Sequence, residues 1–156
     1  MNIHTHFLFP FFIGVLFMKL SIFSWQFALL AGVIGMLVDA DHYIEHILHA
    51  KKHRFSLKDT WNNSIKLHRF NQRSFIHEGL GVFVLTVLFL IIMYLNLSLA
   101  ITLFLGYYSH ILLDGIYLKH PHHFRRKISS WFFKESYVEI FLDIVLLIGI
   151  LFILFL

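Results

Sequence analysis

Residues 7–40 read FLFPFFIGVLFMKLSIFSWQFALLAGVIGMLVDA, and the way this stretch folds decides the architecture of the chain. Between residues 7 and 38 the apolar run is interrupted only by Lys19, Ser21, Ser24 and Gln26. Taken as one helix, these thirty-two residues would extend about 48 Å at ~1.5 Å per residue, well past the ~30 Å hydrocarbon core of a bilayer. A helical hairpin turning near 19–25 fits a membrane instead, with apolar stretches at about 7–23 and 25–40.

Three more apolar stretches follow at about 79–95, 97–118 and 137–156, separated by polar segments at 43–78 and 119–136. Their lengths are near the ~17–25 residues that span a bilayer. Backbone groups in lipid must be satisfied within the segment, which requires helices here, because a barrel strand would alternate in polarity. Asn96 and Ser98 mark a tight turn between the third and fourth helices. No internal repeat or low-complexity linker divides the chain. The expectation is an all-α polytopic membrane protein, with residues 1–156 forming one membrane-embedded domain of about five transmembrane helices.

Composition agrees. Hydrophobic residues are 58% of the chain, aromatics 18% with 19 Phe, and the mean hydropathy is +0.74, far above an ordinary soluble domain of this size. Met1 to His6 carry no Lys or Arg, and no small-residue cleavage pattern follows 7–18, so no removable signal peptide is expected. Cysteine is absent, which excludes disulfides and thiolate metal sites; any metal must use nitrogen and oxygen ligands. The net charge of +4 and pI near 9.4 are those of a membrane protein with basic cytoplasmic loops, and no nucleic-acid partner is expected.

Five passes with tight turns after the first and third helices put the N-terminus and both polar segments on one side. Lys51, Lys52, Arg54, Lys58, Lys66, Arg69, Arg73, Lys119, Arg125, Arg126, Lys127 and Lys134 lie there, against Lys19 alone opposite. The excess of basic residues makes that side cytoplasmic, with Leu156 at the other face.

All 12 histidines fall on that same side. His6 opens the first helix; Asp39, Asp41 and His42 sit where the second leaves the membrane; His77 and Glu78 sit where the third enters; His110 and Asp114 lie in the last turns of the fourth. Ser109-His-Ile-Leu-Leu-Asp114 is the sharpest local signal, since positions i and i+4 project from one helix face about 6 Å apart along the axis. Two readings stand for that pair: one metal gripped from one face, or a His–Asp hydrogen bond joining helices. Asp39-Ala-Asp41-His42 places two carboxylates and an imidazole within one turn at the end of an apolar helix, where unpaired burial is costly and a divalent cation supplies the missing charge. Carboxylates can also bridge two ions.

The other polar residues read as less central. His46 and His49 continue the spacing of His42 but precede Lys51, Lys52 and His53, which suits an interfacial, solvated face. His120, His122 and His123 flank Pro121 in a basic loop and read the same way. Arg69 and Arg73 could hold a phosphate head group beside the metal, with attraction to anionic lipid as the plainer reading. Asp143, four residues after Glu139, is expected to pair with a neighbouring helix or to approach the site.

Together these motifs resemble the bacterial and archaeal family of small membrane-bound metal-dependent hydrolases, that of the LexA-regulated inner-membrane hydrolases. The elements that match are Thr5-His6, Asp39-Ala-Asp-His42, a segment around Arg73 to His77, and Ser109-His-Ile-Leu-Leu-Asp114, covering most of the first 120 residues. Before the third helix the family pattern is His-Arg-Gly-x-Thr-His-Ser, whereas this chain has Gln72-Arg-Ser-Phe-Ile-His-Glu78. Gln72 thus stands in place of a histidine. His68 one turn earlier could replace it, Gln72 could bind through its amide oxygen, or one metal position could be missing. The His-x-x-x-Asp element is also locally similar to zinc-dependent phospholipase C enzymes, which cleave phosphate esters.

The resemblance implies a hydrolase in which His6, Asp39, Asp41, His42, His77, His110 and Asp114 hold one or two divalent ions. Zinc suits a histidine-rich set, and manganese or iron would suit the mixed shell. Glu78 is the expected general base and Arg73 a phosphate contact. The expected reaction is phosphoester hydrolysis at the cytoplasmic face, with membrane lipid as the solvent and a lipid or another membrane-associated molecule as the substrate. The rival expectations are a non-catalytic metal-binding or transport protein, and a structural protein whose histidines only join helices.

Overall fold

A computed structural model describes residues 3–61, 75–119, 128–129 and 134–155. The helices are α1 (Ile3–Lys19), α2 (Trp25–Leu37), α3 (Ala40–His49), the short α4 (Leu57–Trp61), α5 (Gly79–Leu95), α6 (Leu97–Lys119) and α7 (Tyr137–Phe155). A single 3-10 turn, Phe75–His77, leads into α5, and Ile128–Ser129 pairs antiparallel with Lys134–Glu135. Trp25–His49, Leu97–Tyr117 and Tyr137–Phe155 are long and apolar enough to cross a membrane. At 17 residues each, α1 and α5 reach about 26 Å, just under the ~30 Å core.

The expected hairpin is present, although its first helix runs four residues earlier than the apolar pattern implied. The chain leaves α1 at Ser21, whose φ of 59° is the left-handed conformation that closes a helix. Ser21 N–H donates to the Met18 carbonyl (3.0 Å) and Ile22 N–H to the Phe17 carbonyl (2.9 Å), the paired bonds of a Schellman stop. Asn96 performs the corresponding task between α5 and α6: its N–H completes α5 on the Ile92 carbonyl (2.7 Å), and its Oδ1 accepts from Leu99 N–H (3.0 Å) at the start of α6.

Packing is close where small residues meet. α1 packs on α2, α6 and α7, α2 also packs on α6, and α5 packs on α6. A Cβ at Gly14 would stand 2.7 Å from the Ala28 Cα, one at Gly106 would stand 2.7 Å from Ile34, and one at Gly35 would run into the carbonyl oxygen of His6. Without strong hydrophobic drive between helices in lipid, such close backbone approach is a main source of association. Val38, Phe89 and Tyr107 form the apolar contact that holds α5 and α6 to the end of α2.

The second spanning helix does not stop at residue 40. After a brief irregularity at Val38 and Asp39 it resumes as α3 and runs to His49. His46 is accordingly not on a solvated face: it is buried at 2% exposure, with Nε2 3.4 Å from the His53 carbonyl as the following loop folds over it. His49 is exposed as expected and pairs with Glu45 at 2.7 Å.

Candidate metal centre

The first turns of α1, the junction of α2 and α3, the 3-10 turn before α5 and the last turns of α6 meet at one end of the bundle. Four side chains from three of these converge. His6, Asp39, His110 and Asp114 each offer a ligand atom, and all four atoms lie within 4.8 Å of one another. His6 Nε2 is 3.2 Å from Asp114 Oδ1 and 4.0 Å from Asp39 Oδ2; His110 Nε2 is 3.6 Å from Asp39 Oδ1 and 3.5 Å from Asp114 Oδ2. Ligands ~2.0–2.1 Å from a tetrahedral zinc lie roughly 3.3–3.4 Å apart, so the spacing suits a small divalent ion.

The donor chemistry also fits a cation. His6 is wholly buried, and neither of its ring nitrogens makes a hydrogen bond. His110, also wholly buried, donates Nδ1–H to the Gly35 carbonyl at 2.9 Å, which leaves a lone pair on Nε2 facing the cluster. The two rings stack with centroids 3.9 Å apart. A buried lone-pair nitrogen and an imidazole without hydrogen bonds beside two carboxylates are unfavourable without a positive charge among them.

His77, Asp41 and His42 border this group. His77 Nε2 is 3.1 Å from His110 Nε2 and 3.9 Å from Asp114 Oδ2, and His42 Nε2 is 3.7 Å from Asp39 Oδ1. Asp41, nearly buried at 6% exposure, turns one oxygen to His77 Nδ1 at 2.7 Å and the other to His42 Nδ1 at 3.7 Å. The 2.7 Å contact has ion-pair distance without hydrogen-bond alignment. All seven residues singled out as ligands are therefore gathered at one place.

The remaining candidates differ. Glu78 is exposed at the N-terminal boundary of α5, and no hydrogen bond or ion pair joins it to the cluster among the described residues. Arg73, His68 and Gln72 lie outside the described residues, as do Arg69, His120, His122 and His123. Asp143 pairs with α1 rather than with the cluster: its Oδ2 is 2.9 Å from His4 Nε2.

Two supporting residues escaped the sequence reading. The Tyr107 hydroxyl donates to the Ile76 carbonyl, which fixes the 3-10 turn that carries His77. Gly35 supplies both the carbonyl for His110 and the space for His6. A third feature had a legible signature: Ser136-Tyr-Val-Glu139 is a capping box, with Glu139 N–H donating to Ser136 Oγ (3.1 Å) and Ser136 N–H to Glu139 Oε2 (2.9 Å).

A family model for the YdjM inner membrane protein matches residues 1–155. No curated protein and no solved structure matches the chain. The match takes in the spanning helices and the buried histidines and aspartates together: the chain belongs to the YdjM inner membrane protein family.

Proposed function

We propose that this inner-membrane protein is a metal-dependent hydrolase working at the cytoplasmic face, on a phosphoester carried by a lipid or another membrane-associated molecule. The observation that carries the reading is the convergence of His6, Asp39, His110 and Asp114 within 4.8 Å, with His6 buried and its ring nitrogens without hydrogen bonds.

A divalent ion, zinc first and manganese or iron next, would supply acidified water and stabilise charge developing on an attacked phosphoryl oxygen. The protein's part is to hold the ligands still and to exclude bulk water from His6 and His110. The cluster lies at the ends of apolar helices, and Lys51, Lys52, Arg54 and Lys58 are exposed beyond the C-terminal end of α3. Basic residues at that end favour the cytoplasmic side and an anionic head group. Glu78, beside His77, is the proposed proton acceptor, and Arg73 the proposed contact to a phosphate oxygen.

The test is turnover of a panel of phospholipids and soluble phosphoesters by purified protein loaded with zinc, manganese or iron. Hydrolysis in the wild type, lost at least about 100-fold in Asp114→Asn and His110→Ala proteins that still fold, supports the reading. Bound metal with no turnover of any ester overturns it in favour of non-catalytic binding or transport, which metal flux into liposomes then separates.

A further inference from the structure

Four of the seven clustered residues suffice for one ion, and the other three are arranged for another. Asp39 turns Oδ2 to His6 (4.0 Å) and Oδ1 to His42 (3.7 Å). Asp114 likewise turns Oδ1 to His6 (3.2 Å) and Oδ2 to His77 (3.9 Å). Each carboxylate therefore faces His6 with one oxygen and, with the other, both His110 (3.6 Å from Asp39 Oδ1, 3.5 Å from Asp114 Oδ2) and a further histidine, the disposition of a bridging ligand.

His42 and His77 form a second imidazole pair, with nearly parallel rings at 15° and centroids 5.9 Å apart. Asp41 lies behind both, its oxygens facing their Nδ1 atoms at 3.7 Å and 2.7 Å. Neither contact has hydrogen-bond geometry as it stands; a carboxylate that closes on Nδ1 fixes the imidazole tautomer and leaves the Nε2 lone pair for a metal. Those Nε2 atoms are the ones near Asp39 and Asp114.

We propose that the centre is dinuclear, with a second divalent ion held by Nε2 of His42 and His77, Asp39 and Asp114 bridging the two ions, and Asp41 orienting the imidazoles without binding metal. The proposal rests on the metal reading of the first four residues. It reassigns Asp41 from ligand to positioning residue. It also makes the two positions unequal: the side chains of His6 and His110 are fully buried, that of His77 is 9% exposed and that of His42 is 28% exposed. The second ion is on the open side, the side from which a substrate phosphate would approach, and a pair of ions clamps the attacking and leaving oxygens of an in-line displacement.

Protein freed of any affinity tag is titrated with manganese, the bound ions are counted by elemental analysis after gel filtration, and the electron paramagnetic resonance spectrum is recorded. Two ions per chain with an exchange-coupled spectrum are expected. His42→Ala and His77→Ala should each retain one ion and lose the coupling, while Asp41→Asn should still take two at saturation with the second bound about 10–100-fold more weakly. One uncoupled ion in the wild type overturns the second position and leaves the first standing. No bound ion overturns both. Two coupled ions in both histidine variants overturn the assignment of His42 and His77.

Discussion

The Nε2 atoms of His77 and His110 face each other across 3.1 Å, one from the turn before α5 and the other from the last turns of α6. With His110 Nδ1–H donated to Gly35, its Nε2 is an acceptor, and Asp41 Oδ2 stands 2.7 Å from the far nitrogen of His77, Nδ1. An inward lone pair and two inward carboxylates repel one another until a cation or proton joins them. Zinc should therefore raise the thermal midpoint of the detergent-solubilised protein and a chelator should lower it. At a free concentration 100 times Kd the stabilisation amounts to about 2.7 kcal/mol. Thermal melts with and without metal check this, and Asp114→Asn should respond far less; a wild-type midpoint that metal leaves unchanged counts against a structural role for the ion.

Gly35 joins packing to the site. A side chain there would strike the His6 carbonyl and stand 2.7 Å from Pro10 Cγ, so α1 would have to move away from α2 and take His6 with it. Gly35→Ala should cost about 1–3 kcal/mol as an overpacked contact and weaken metal binding as well. Gly115, adjacent to Asp114, is the control, because nothing lies within 4 Å of the Cβ it would gain. Gly115→Ala should be neutral or stabilising by up to about 1 kcal/mol through helix propensity. Equal losses of metal affinity in the two variants would separate helix spacing from the site.

The His4–Asp143 contact ties α1 to α7 at the same end of the bundle. The pair is partly exposed on the His4 side and nearly buried on the Asp143 side, at 31% and 11%. Polar pairs between membrane helices couple by about 0.6–2 kcal/mol. A double-mutant cycle of His4→Ala and Asp143→Ala, read from unfolding in detergent, should give a coupling in that range, with metal stoichiometry unchanged in Asp143→Ala. Loss of metal in Asp143→Ala would instead draw α7 into the site.

Much of this arrangement is legible in the sequence because lipid permits so few backbone solutions. The bounds of α5 fall where the apolar run and Asn96 place them, and the hairpin at 19–25 puts His6 beside Asp39. Polarity misled where polar groups are buried between helices. The apolar run begins at residue 7 with His6 opening the helix, yet α1 already includes His4 and Thr5, and Thr5 and His6 are fully buried. His46 looks solvated because lysines follow it, yet it is buried, with the His53 carbonyl of the following loop 3.4 Å from its Nε2. Gly35 is one of eight glycines, and its importance depends on which helices cross there.

Tyr107 was equally hidden, since a tyrosine in a membrane helix usually reads as an aromatic contact. It does pack in the cluster with Val38 and Phe89, at 2% exposure, while its hydroxyl holds the Ile76 carbonyl next to His77. These two roles separate experimentally. Tyr107→Phe keeps the ring and removes one hydrogen bond, which should cost about 0.5–1.5 kcal/mol of stability. If the bond positions His77, metal affinity should also fall, by about tenfold on the scale of other groups that orient ligands, while the binding of the ion between His6 and His110 changes least. Isothermal titration of both variants, Tyr107→Phe and His77→Ala, checks this: a Tyr107→Phe protein that is less stable but binds metal as the wild type does would confine the tyrosine to packing.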